Sequence, residues 1–462
     1  MASFCNRCVA STSRLAPAHP LRSLASGQLA TASFSTSALV QAGAKGKAPA
    51  KKIVKRQGGG FSKAKAGGAQ AKQKAEAAAL AIRADLIGPE PDLSGLREFT
   101  SNLTNAENVG RPTRVSQQRW DLISGFGLPS NIAKEFARDT PTTVVRESSV
   151  TIAERLVKAS TESSESNRIL LSGTRGCGKS TVMLQAVDSA IELDSVVIYI
   201  PQAINLINSS SPFVYNQASQ TFHQPAASSK LLASILSANK TVLSTIKLEK
   251  DVVIQSSAAS TGEASFAAED ALDKLVAAGA KNEALSVSAL ETVFEGLAAQ
   301  TDVNVLLAVD EVQALFMTSE YRSPDFTLLE SYALSLPRLL LDYISGRKAF
   351  ARGSILTSLS FSSPRYQPSL ELYTGLSGAL PSPYPLTPYD RVNDYHVAHA
   401  RGLEVVNVME KLGLGEAQGI MSIWSKKGMV VHPTDELFLG KFAESGGNAR
   451  EFGRGLSTTL AI

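Results

Sequence analysis

Three cysteines in 462 residues cannot build a disulfide framework. Cys5 and Cys8 form a Cys-x-x-Cys pair, but no second Cys or His pair follows at metal-site spacing, and Cys177 stands alone. A chain without disulfides, suited to a reducing compartment, is expected. Long apolar runs are missing too. No stretch approaches the roughly 18 continuous apolar residues of a bilayer-crossing helix. Acidic residues are absent from the first 75 positions, which hold 13 Lys or Arg; the other 33 basic residues stand among all 42 acids. A +13 segment thus precedes a −9 body, and the two are expected to meet different partners.

The basic segment divides by composition. Residues 1–41 scatter Arg7, Arg14 and Arg22 among Ser, Thr and Ala and run into Phe34-Ser35-Thr36-Ser37-Ala38. That description is a mitochondrial transit peptide. Residues 42–77 space lysines from Lys45 to Lys74 with Gly and Ala. Such a segment cannot bury a core, so a disordered arm is expected, and RNA phosphate is the obvious acidic partner.

What the body does contain is a glycine-rich turn between a strand and a helix. Residues 173–180 read Gly-Thr-Arg-Gly-Cys-Gly-Lys-Ser, the G-x-x-x-x-G-K-[ST] pattern of a phosphate-binding loop. The apolar run Arg168-Ile169-Leu170-Leu171-Ser172 leads in, and Val182, Met183, Ala186, Val187, Ala190 and Ile191 recur at helical spacing behind it. Glycines let successive N–H groups approach a phosphate at a helix N-terminus, which already favours anions. Contacts are expected from Gly173, Thr174, Gly176, Cys177, Gly178, Lys179, Ser180 and Thr181. Lys179 reaches the β- and γ-phosphates, and the Ser180 hydroxyl ligates Mg²⁺.

A second run, Val303 to Val309, ends in Asp310-Glu311. It reads as another central strand of a parallel sheet. Asp310 is the expected second metal ligand, and Glu311 is the one candidate for a catalytic role, polarising an attacking water. Strands at Ser195–Ile200 and Gly353–Leu359 alternate with helices over Ala267–Ala299 and Leu328–Ile344, while 208–265 reads as a Ser-rich insertion with a helix near Leu231–Leu243. The alternation predicts an α/β fold of the P-loop NTPase type, AAA/STAND-like, with a parallel sheet flanked by helices. The expected units are an N-terminal extension over 78–145, helical near 83–87; a nucleotide-binding domain over 146–390; and a helical C-terminal lid over 391–462.

In that lid, Ser445-Gly446-Gly447-Asn448-Ala449-Arg450-Glu451 opens a helix with an arginine in its first turn. It resembles the second sensor of AAA-like and signalling NTPases, whose arginine faces the γ-phosphate. Ser358, near the end of its strand, corresponds to the polar first sensor. No Asn-Lys-x-Asp follows the core, since Asn239-Lys240-Thr241-Val242 lacks the aspartate, so base recognition has to come from elsewhere.

The order of Pro141-Thr142-Thr143-Val144-Val145-Arg146, the loop at 173–180, Tyr199-Ile200-Pro201, Asp310-Glu311 and Asn448-Ala449-Arg450 resembles the death-associated protein three family of the mitochondrial small ribosomal subunit. The likeness covers about residues 110–462. It implies a structural component of the subunit head in the mitochondrial matrix, close to the large subunit. Its neighbours would be mitochondrial ribosomal proteins and small-subunit rRNA, with a guanine nucleotide, GTP or GDP, and Mg²⁺ bound. From the residues alone ATP stays equally open, as does hydrolysis. A different class also fits the motifs: a mitochondrial AAA-like ATPase acting as chaperone or nucleic-acid remodeller, which needs an arginine offered across a subunit interface and turnover dependent on Glu311.

Overall fold

The computed structural model describes residues 93–458 apart from 94, 130–131, 134–135, 137–140, 257–261, 377, 381–386 and 431. The expected transit peptide, the basic arm and the helix near 83–87 lie outside the described residues.

Five runs form one sheet: β1 (Arg168–Ser172), β2 (Val196–Ile200), β3 (Val305–Val309), β4 (Gly353–Ser358) and β5 (Glu404–Asn407), in the order β5-β1-β4-β3-β2. Every pairing is parallel. Strands β2, β3 and β4 are buried at all positions; β2 and β3 accordingly read as continuous β-branched and apolar runs, while β4 mixes Ile355 and Leu356 with Gly, Ser and Thr. The register levels the strand ends. Val309 pairs with Ile200 and Thr357, and Ser358 pairs with Leu171. Asp310, Ser358 and the loop after Ser172 therefore emerge together at the carboxyl edge of the sheet, where open α/β sheets place ligands.

Helices cover the sheet. Helix α1 (Glu147–Ala159) packs on α2 (Lys179–Glu192), and α2 packs on the central strands. Helices α3 (Pro225–Leu243), α4 (Leu272–Lys281) and α5 (Ser286–Ala299) pack on one another beside β2. They do so through stripes such as Leu290, Val293, Phe294 and Leu297. Asn239, at a kink in α3, accepts from the Val197 N–H at 2.7 Å and donates to its carbonyl at 2.8 Å. It thereby covers the outer edge of β2.

Three expectations change. The helix expected over Leu328–Ile344 is shorter: Leu328–Glu330 pairs antiparallel with Thr318–Arg322, and α6 (Ser335–Ile344) begins only at Ser335, with Pro337 in its first turn. The Ser-rich insertion holds two hairpins, Val214–Asn216 with Thr221–His223 and Val252–Gln255 with Glu263–Phe266, as well as α3. Finally, the region from 391 is not purely helical. It supplies β5, an edge strand whose four residues carry only two apolar side chains, too short a run for a period to show. Helices α7 (Leu414–Lys426), α8 (Asp435–Ser445) and α9 (Ala449–Thr458) then close around their own small core of Leu412, Ala417, Met421, Val430, Phe452 and Leu456. Ahead of the main sheet, Arg97–Glu98, Pro112–Arg114 and Thr142–Val144 form a small three-stranded sheet beside the helix Gln117–Gly125.

Candidate functional site

The glycine loop leaves β1 and enters α2 through backbone that only glycine adopts freely. Gly176 and Gly178 have φ of +85° and +100°. A side chain would also crowd its neighbours: a Cβ on Gly176 would lie 2.6 Å from Asn448 Oδ1 and 2.9 Å from Arg450 Cβ, and one on Gly178 would displace Arg146 Nη1, 2.8 Å away. The N-terminus of α2, with its unpaired N–H groups, opens directly beyond the loop. The Lys179 ammonium folds over the loop and donates to the carbonyls of Gly173 and Thr174, both at 2.8 Å. Burial holds its pKa below the usual lysine range, against the attraction of Cys177 and Asp310.

Three polar groups converge on Asp310 at the end of β3. Its Oδ2 accepts from Ser180 Oγ at 2.6 Å, and its Oδ1 accepts from Ser358 Oγ and from the Glu311 N–H, the latter at 2.8 Å. Burial pushes the Asp310 carboxyl up while these hydrogen bonds pull it down. Strand β4 lies between β1 and β3, and this brings Ser358 to Asp310. Glu311 follows in the left-handed region, at φ +61°. Burial, reinforced by Asp310, pushes its carboxyl up to about 7.

The C-terminal helices grip the same loop. Asn448 donates to the Arg175 carbonyl at 2.9 Å and accepts from the Arg450 N–H at 3.1 Å; the Arg450 N–H also lies 3.1 Å from the Gly176 carbonyl. From the other side Arg146 donates to the Cys177 carbonyl, to the Met409 carbonyl at 3.1 Å and to Glu416 Oε2 at 3.2 Å. Glu416 in turn accepts from the N–H groups of Glu147 at 3.0 Å and Gly413 at 3.2 Å. Arg146 and Glu416 are 5% and 4% exposed, so this is a buried ion pair that ties α1, the loop and α7 together. No role for Glu416 was legible in the sequence. Its one signal is a glutamate at the third position of a helix, reaching back to the N-cap N–H.

A cavity of about 740 Å³ runs from the loop along α2. Of the expected contacts, Gly176, Gly178, Lys179, Ser180, Thr181 and Arg450 line it, while Gly173, Thr174, Cys177, Asp310, Glu311 and Ser358 lie off its wall. Beyond the loop the wall turns apolar, with Trp120, Ile123 and Phe136 from the N-terminal extension and Ile420, Ile423 and Trp424 from α7. Both tryptophans of the chain are among them. Six lining side chains are cationic and one, Asp188, is a carboxylate, so the cavity suits an anion joined to a flat apolar group.

Known proteins resemble the chain over a stretch that holds the glycine loop, Asp310 and Arg450, though the family match leaves out Trp120, Ile123 and Phe136. Residues 143–455 match the family described as Mitochondrial ribosomal death-associated protein 3. The chain is 24% identical to the small ribosomal subunit protein mS29 of Schizosaccharomyces pombe over 354 residues, covering 75% of this chain and 71% of that protein. It is 25% identical to the Neurospora crassa protein of the same name over 380 residues, covering 78% and 76%. With the Mus musculus protein of that name it shares 28% identity over 197 residues, covering 42% and 48%.

Proposed function

The chain belongs to the mitochondrial ribosomal death-associated protein 3 family, and from that premise we propose that it is a structural protein of the mitochondrial small ribosomal subunit that holds a guanine nucleotide with Mg²⁺ in the cavity beside α2. Relatives named for the small ribosomal subunit support the ribosomal role and the mitochondrial location. In this reading the core is a P-loop NTPase domain of the AAA/STAND type, residues 1–41 direct import, and 42–77 meet rRNA. Other small-subunit proteins, and the large subunit across the interface, contact the acidic body.

One observation carries the nucleotide reading: a glycine loop with a buried ammonium, a Ser180–Asp310 pair 2.6 Å apart at its foot, and a cavity leading from it to two tryptophans. The hydroxyl and carboxylate are the hard oxygen donors that suit Mg²⁺, which takes its remaining ligands from phosphate and water. When bound, that ion would neutralise phosphate charge. Lys179 would exchange the two loop carbonyls for phosphate oxygens. Arg450, carried to the cavity by α9, would add a second cation. In this reading the nucleotide is a structural ligand: bound to the folded chain alone, it stabilises the domain by mass action.

Tryptophan fluorescence of the purified full chain tests the ligand directly. GDP or GTP with Mg²⁺ is expected to change the emission of Trp120 and Trp424 saturably, and an unchanged spectrum up to millimolar nucleotide defeats the reading. Gradient sedimentation of mitochondrial lysate tests the ribosomal role. Recovery only in a light soluble pool would count against it.

A further inference from the structure

The cavity has one acidic group, and among the described residues neither of its oxygens receives a hydrogen bond. Asp188 lies on α2 nine residues beyond Lys179, a rise of about 13 Å along the helix. The residue is 1% exposed and lines the cavity. Its Oδ1 stands 2.9 Å from Arg119 Nε as an ion pair, yet neither Oδ1 nor Oδ2 accepts a hydrogen bond among the described residues. An ionised oxygen left that way is costly, and native structures nearly always supply a donor. The neighbouring Gln185 cannot help. Its amide nitrogen is committed to Thr143 Oγ1 at 2.6 Å and to the Val144 carbonyl at 2.9 Å.

We propose that Asp188 is the group that selects the base: its free carboxylate oxygen accepts from the Watson–Crick edge of the bound nucleotide and so takes guanine in preference to adenine. The inference rests on the nucleotide reading given above. Guanine offers adjacent N1–H and 2-amino donors to a carboxylate. Adenine sets the N1 lone pair beside its single amino donor, which repels one. The distance along α2 matches the span from the phosphates of a nucleotide to its base, and Trp120 and Ile123, on the helix that carries Arg119, also line the cavity. The carboxylate that an Asn-Lys-x-Asp motif would supply thus comes from a different element. Asn239 is taken up at the edge of β2. Burial pushes the Asp188 carboxyl up to about 7 against the pull of Arg119, with Glu192 and Glu98 adding to the rise. Two N–H donors favour its ionised form.

The test uses the unmodified full chain and four ligands with Mg²⁺: GDP, inosine diphosphate, xanthosine diphosphate and ADP. Inosine lacks the 2-amino donor, and xanthosine replaces it with a carbonyl. GDP is expected to bind about tenfold or more tighter than inosine diphosphate, and about 100-fold tighter than xanthosine diphosphate or ADP. Asp188→Asn, which turns one acceptor into a donor, is expected to shift preference towards xanthosine diphosphate. If the Asp188→Asn chain fails to fold because Arg119 has lost one of its three carboxylate partners, the four-ligand series on the unmodified chain still decides. Equal affinity for GDP and ADP, or a folded Asp188→Asn chain that keeps its preference for GDP, overturns the assignment while leaving nucleotide binding intact. Binding of none of the four overturns the nucleotide reading itself, and this one with it.

Discussion

The two ends of the cavity are built in opposite ways. At the loop end, contiguous residues 173–181 do most of the work, and the polar groups around Asp310 satisfy one another. At the far end, the wall comes from residues near 115–144, 184–188 and 420–424, mostly apolar, with one carboxylate that accepts no hydrogen bond among the described residues. The contrast teaches that gripping a phosphate tail is a local property of chain conformation, whereas recognising what the tail is attached to is a property of assembly.

The largest effect is expected where assembly supports the loop. Glu416→Ala leaves the buried Arg146 charge without its carboxylate and should cost about 3–5 kcal/mol of stability, read by chemical denaturation. A loss under about 1 kcal/mol would show that the loop end does not depend on α7. Next comes the loop itself. Lys179→Ala removes the charge-assisted contacts to phosphate and should weaken GDP binding by about 3 kcal/mol in calorimetry while the fold holds. Trp424→Ala strips one wall from the far end. It should cost about 1–3 kcal/mol of affinity, similar for GDP and for guanosine, while Lys179→Ala should spare guanosine.

The smallest expected effect is that of pH. Asp188 and Glu311 are both raised to about 7 in the fold, from ordinary values of 3.8 and 4.5. The folded chain therefore holds protons that the unfolded chain has already lost. Their contribution to stability declines as pH rises from about 4 to 7 and is flat above that window. Guanine binding runs the other way, because it needs Asp188 ionised. GDP affinity should be about tenfold weaker at pH 6 than at pH 8. The Asp188→Asn chain should lose that dependence, and a profile that is flat in both forms would break the distinction between the two ends.

How much could be read beforehand follows the same division. Strands β1, β2 and β3 showed as apolar runs because they are almost wholly buried, and residues 173–180 showed because a strand, a turn and a helix are adjacent in the chain. The edge strand Glu404–Asn407 was invisible, since it draws its stability from pairing with β1 rather than from its own pattern. The helix expected from Leu328 was overextended because a short hairpin strand and the first turn of α6 share a leucine-rich stretch. Asp188 drew no reading at all, being a single carboxylate on an amphipathic helix. Only the placement of Arg119 and the cavity beside it distinguishes it from a solvated one.

The seating of α9 on the loop carries a temporal consequence. The Arg175 carbonyl meets its Asn448 partner across 273 positions of chain. During synthesis from the N-terminus, every residue of the glycine turn emerges long before the helix that braces it. A polypeptide halted before Asn448 keeps the whole signature and lacks its support, so firm retention of a ligand would report that translation of this domain had run nearly to completion.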